Sequence, residues 1–223
     1  MMKPRVLLAG SAIIAAGLFV AWNLTAEERF TNEIAAFVER DRTNPPPQNA
    51  VLFVGSSSIR LWTNLASDFP KLQTINRGFG GSHISDVIEY VDRIVIPYRP
   101  SKIVFYAGDN DIASGKPPSE VREDFETFVK RVWEKLPETP VYFLAIKPSP
   151  SRWHLISEVT EANKSIREFT KTSKQLHYID VATPLLNSSG EPDESLFRDD
   201  KLHLNEKGYA IWTRVVNGEL ASK

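Results

Sequence analysis

Short, almost uninterrupted apolar runs alternate along the chain with longer stretches whose apolar positions recur at helical spacing. The runs cover residues 50–54, 72–75, 102–107, 141–146 and 176–181. They are rich in β-branched and aromatic residues and mostly continuous, which is how strands buried on both faces of a parallel sheet read. The helical stretches cover 27–42, 84–96, 119–136, 155–173 and 206–220. In the first of them, Phe30, Ile34, Phe37 and Val38 share one face. Strand alternating with helix predicts an α/β protein, a three-layer α/β/α sandwich around a five-stranded, mainly parallel sheet.

The beginning of the chain follows a different pattern. Residues 6–26 contain no charged side chain, with Lys3 and Arg5 before them and Glu27 and Glu28 after. A membrane-spanning helix needs about 20 largely apolar residues, and this segment reaches that length. A cleaved signal peptide is the alternative, but Leu24 and Ala26 make a poor small-x-small site. The reading is therefore an N-terminal hydrophobic helix at 1–26 that anchors the chain in a membrane. Lys3 and Arg5 stay on the cytoplasmic side and the remainder lies outside, in the periplasm or on the outer face. A leading helix and Pro-rich connector follow at 27–48, then one catalytic-sized domain at 49–223.

Composition narrows the function. With 27 Lys and Arg against 28 Asp and Glu, the formal net charge is −1, so the basic excess that nucleic-acid binding would need is missing. The chain has no cysteine, which excludes a disulfide framework, a thiolate metal site and a cysteine nucleophile. No two histidines have metal-ligand spacing, and no cofactor or metal is expected.

In an open parallel sheet, ligands bind beyond the carboxyl ends of the strands. There the sequence places Gly55-Ser56-Ser57-Ser58, then Asn76-Arg-Gly-Phe-Gly-Gly81, then Gly108-Asp-Asn-Asp111, then Lys147-Pro-Ser-Pro-Ser-Arg152-Trp153. Repeated glycines on one rim describe backbone that approaches a ligand closely. A further cluster, Asp199-Asp-Lys-Leu-His203, precedes the last helix. Asp200 and His203 are three apart and would share a side in a helical turn. A carboxylate there can hold imidazole Nδ1–H and leave Nε2 as a base. A serine on the first rim loop would then complete the set that acyl transfer requires.

These blocks resemble the SGNH hydrolases, the GDSL-type esterase and lipase family, in the family's order and over nearly all of the chain beyond the leading segment. Gly55-Ser56-Ser57 stands for the first block, Gly81 for the second, Gly108-Asp-Asn110-Asp111 for the third and Asp200-Lys-Leu-His203 for the last. The resemblance implies the flavodoxin-like SGNH fold. It implies Ser57 as nucleophile, His203 as base and Asp200 as orienter. It also implies an oxyanion hole from the backbone N–H groups of Ser57 and Gly81 and the side-chain amide of Asn110. One residue departs from the pattern: Ser56 stands where the family has Asp, a position outside the triad.

Around this set, Ser58, Arg60, His83, Asp111 and Arg152 are candidates for the substrate pocket. Ser58 is also the alternative nucleophile if the motif slips by one residue. The function expected is a serine esterase acting through an acyl-enzyme on a small-molecule or glycan ester, with a short acyl or acetyl group. A non-catalytic ligand-binding module, or an acyltransferase using the same triad, remain the alternatives.

Overall fold

The computed structural model describes residues 26–221. The expected membrane anchor at 1–26 lies, but for its last residue, outside the described residues. Among the described residues, no helix is long and apolar enough to cross a membrane.

The described chain opens with helix α1 (Ala26–Thr43) and leaves the proline connector into β1 (Val51–Gly55). Two single-turn helices follow, α2 (Ser57–Arg60) and α3 (Leu65–Asp68), and then β2 (Thr74–Gly78). Next come α4 (Ile84–Glu89), α5 (Val91–Ile94), β3 (Lys102–Tyr106), α6 (Asp109–Ala113) and α7 (Pro118–Trp133). The chain ends with β4 (Val141–Leu144), α8 (Ile156–Thr170), β5 (Leu176–Ile179) and α9 (Glu206–Ala221). All five strands are parallel, in the order β2-β1-β3-β4-β5.

The period-two geometry of each strand divides the core in two. Leu52 and Val54 of β1, with Ile103 and Phe105 of β3, face a layer holding α1, α4, α5, α7 and α8. Val51 and Phe53, with Val104 and Tyr106, face α2, α3 and α9. Helix α7 buries Val121, Phe125, Phe128, Val129 and Val132, and such side chains contribute about 1.5–3 kcal/mol each. This is the three-layer sandwich expected, with the sheet wholly parallel.

Two sequence expectations are corrected in detail. The helix expected at 84–96 is broken at Tyr90, whose backbone (φ −100°, ψ 6°) leaves the helical range, and it closes in a 3₁₀ turn at Ile96–Tyr98. Pro97 in that turn cannot donate the bond that would continue a regular helix. The second strand lies later than its apolar run, at Thr74–Gly78, and so takes in polar Asn76 and Arg77. Arg77 is accommodated because Asp41 of α1 and Tyr98 accept its N–H groups, and Tyr98 donates to Asp41 at 2.6 Å. This buried polar cluster fastens α1 across the edge strand.

The chain runs from β1 outward to β2, then crosses back over β1 to β3. The carboxyl ends of β1 and β3 therefore flank the topological switch point, where ligands of such sheets bind.

Candidate active site

The first rim loop has one way to fold. Gly55 has φ +138°, and a Cβ there would lie 1.8 Å from the carbonyl oxygen of Tyr106 on the paired strand. Only glycine lets β1 and β3 close at this point. The same carbonyl accepts the Ser56 N–H at 2.8 Å, so the chain turns directly into α2. Ser57 is the first residue of that helix, where a backbone N–H has no intrahelical acceptor. Its side chain faces the rim.

His203 arrives from the far end of the chain. Its Nε2 lies 2.9 Å from Ser57 Oγ, and its Nδ1 lies 2.6 Å from Asp200 Oδ2. The two residues do not share a helical turn, as their spacing had suggested. Asp200 Oδ1 instead accepts the N–H groups of Leu202 and His203, both at 2.9 Å, in an Asx-type turn with Lys201 at φ +55°. Burial pushes the Asp200 carboxyl up. Hydrogen bonds from the His203 ring and from the backbone N–H groups of His203 and Leu202 outweigh that effect and hold it at about 2. The carboxylate is thus ionised and aligned on Nδ1, which leaves Nε2 directed at the hydroxyl.

Asn205, which the sequence reading passed over, secures this loop. Its Oδ1 accepts the N–H groups of Lys207 and Gly208 at the start of α9, and its Nδ2 donates to the carbonyls of Ser195 and Phe197. An Asn directly before a helical stretch is an N-cap signal, and it was readable from the sequence. Tyr209 then donates its hydroxyl to the Ser58 carbonyl at 2.9 Å, tying α9 to the serine helix.

The remaining wall comes from the second and third loops. Gly81 has φ +74°, and a Cβ on it would meet open space. Asn110, in α6, donates Nδ2 to the Ser82 carbonyl at 3.1 Å, so the third loop holds the second. Gly80, one residue earlier, donates its N–H to Glu33 of α1 at 3.1 Å. Hydrolysis of an ester needs a nucleophile, a base and donors for a developing oxyanion; here the Ser57 hydroxyl and the His203 imidazole lie within hydrogen-bond reach of each other.

The sequence also matches the model of the GDSL-like Lipase/Acylhydrolase family over residues 22–211. The chain belongs to that family. It is accordingly an ester-bond hydrolase. No curated protein sequence matches it significantly. A candidate platelet activating factor from Streptococcus pneumonia is similar in structure, with a TM-score of 0.77 at 20% identity, over 86% of this chain and 93% of that one. A GDSL-like lipase from Bacteroides thetaiotaomicron superposes with a TM-score of 0.70 at 17% identity, over 87% and 96%. A carbohydrate esterase family 3 protein from Talaromyces cellulolyticus gives 0.63 at 15% identity, over 77% and 96%. At these identities the likeness is one of fold.

The other residues singled out in this GDSL-like hydrolase take varied places. Ser58 is buried; Ser57 is the serine that meets His203. Arg60 pairs with Glu33 at 3.0 Å and lies against Gly80, where a Cβ would come within 2.6 Å of its guanidinium carbon. Asp111 is wholly buried; its two oxygens accept the Ile84 N–H at 3.2 Å, and Lys116 reaches it at 3.0 Å. It fastens the start of α4 from below. His83, half-buried, precedes α4 and donates its N–H to Asp86 at 2.8 Å. Arg152 reaches the site through Asn110, at 3.1 Å. Among the described residues, no group of three His, Asp or Glu side chains is placed to hold a metal ion.

Proposed function

We propose that the protein is a serine esterase that cleaves a short acyl or acetyl group from a small or sugar-like alcohol through an acyl-enzyme. The single observation supporting this is the continuous hydrogen-bonded path from Ser57 Oγ through the His203 ring to the ionised Asp200. Ser57 attacks the ester carbonyl while His203 Nε2 takes the hydroxyl proton. Asp200 stabilises the imidazolium that forms. The negative charge on the tetrahedral oxygen is met by the N–H groups of Ser57 and Gly81 and by Asn110 Nδ2. His203 then returns the proton to the departing alcohol, and water repeats the sequence to release the acid. A rim carrying His83, Asn110, Arg152 and Asp200 suits a small polar ester better than a long acyl chain.

In this reading the apolar segment at 6–26 anchors the enzyme in a membrane, with the domain on the extracytoplasmic side. The test of function is a fluorophosphonate probe together with a series of aryl esters of graded acyl length. Ser57 should be the labelled residue, and acetate to butyrate esters should turn over fastest. Labelling elsewhere, or undiminished acetate hydrolysis by Ser57→Ala, would remove the assignment.

A further inference from the structure

The loop after β4 touches both halves of the site. Its Ser151 N–H donates to the carbonyl of Lys201, inside the Asp200–His203 turn, at 3.0 Å. The next side chain, Arg152, donates Nη2 to Asn110 Oδ1 at 3.1 Å. Its Nη1 lies 3.2 Å from Asp109 Oδ2, which also lies 3.4 Å from the fully buried Lys147 Nζ. The guanidinium is therefore held by a buried carboxylate on one side and presented to an amide oxygen on the other.

That contact decides how Asn110 faces. Arginine has only donors, so the amide oxygen must face it; the flipped rotamer would set NH₂ against guanidinium. Nδ2 is then directed toward the Gly81–Ser82 loop, where it donates to the Ser82 carbonyl. A charge-assisted hydrogen bond to Oδ1 also draws electron density from the amide nitrogen and strengthens its remaining N–H as a donor.

We propose that Arg152 is a positioning residue of the oxyanion site, which locks and polarises the Asn110 amide while Asp109 and Lys147 hold it in place. The proposal rests on the esterase reading of that site. It makes Arg152 matter to the rate through Asn110, rather than through contact with substrate.

A double-mutant cycle on hydrolysis of an aryl acetate tests this. Arg152→Ala should lower kcat on the order of tenfold to a hundredfold and leave KM within about twofold, as expected when a donor is misplaced rather than removed. Asn110→Ala should cost more, and the double variant should be no slower than Asn110→Ala alone. Arg152→Lys keeps a cation beside Asp109 and should fold, with an intermediate kcat; it replaces Arg152→Ala in the cycle if that variant does not fold. Multiplicative losses, or an Arg152 variant at full rate beside a slow Asn110→Ala, would overturn the proposal alone. Asn110→Ala at full rate would overturn the oxyanion reading and the proposal with it.

Discussion

His203 Nε2 stands 2.9 Å from Ser57 Oγ although 146 positions separate the two residues. The sheet and α9 fix both ends of that contact: β1 delivers the serine, and the Asn205 cap with the Tyr209–Ser58 bond delivers the histidine. If Ser57 and His203 act as the nucleophile and base proposed above, their substitutions should not have independent effects. Ser57→Ala and His203→Ala should each lower kcat by about 10⁴–10⁶-fold, and the double variant should lose almost nothing further. Single-turnover assays of the three proteins check this; losses that multiply would mean the two residues work separately.

The glycines of the rim do different work, and stability measurements should separate them. Gly55→Ala drives a Cβ into the Tyr106 carbonyl at 1.8 Å, so β1 and β3 must part. A loss of about 3 kcal/mol or more is expected. Gly81→Ala meets open space and has only the left-handed backbone to oppose it, at about 1–2 kcal/mol. Urea midpoints should fall far more for the first than for the second. Equal shifts would show that closure of the strand ends is not what Gly55 supplies.

These contrasts mark what could be read from the chain beforehand. Buried parallel strands announce themselves as continuous apolar runs, so the layers were legible. β2 was misplaced because Arg77 looks like a loop residue until Asp41, far away in sequence, is known to receive it. That Ser57, His203 and Asp200 would lie together was legible because each lies in a short motif next to a strand or helix end. The turn joining Asp200 to His203 was misread as helical, since three-residue spacing does not distinguish an Asx turn from a helix. The bonds of Arg152 to Asn110 and of Glu33 to Gly80 join residues 42 and 47 positions apart. No local pattern encodes such pairings; they follow from topology alone.

The Asp200 turn should also leave a mark on acid stability. The folded carboxyl titrates at about 2 against an ordinary 3.8. It therefore binds its proton less tightly folded than unfolded. Its contribution is fully present above the ordinary value and fades as pH falls through about 2. Asp200→Asn removes this dependence. Its Tm should lie below that of the parent at neutral pH, and the gap should narrow across the acid window. A gap that stays constant down to about pH 2 would show that the carboxylate is not stabilised by its hydrogen bonds.

Asp109 should bear more on stability than either cation it faces. Its side chain is 7% exposed and lies within 3.4 Å of Lys147, which is 0% exposed, and within 3.2 Å of Arg152. Asp109→Ala leaves two cations together in a low-dielectric site with their shared counter-charge gone, and about 3 kcal/mol should be lost. Lys147→Met is gentler, because Asp109 keeps Arg152 and an aliphatic chain of similar length fills the space. Burial already disfavours the charged amine, with Asp109 opposing that effect only in part. Thermal unfolding should therefore rank Asp109→Ala well below Lys147→Met. The reverse order would mean that Lys147, rather than the carboxylate, organises the cluster beneath Asn110.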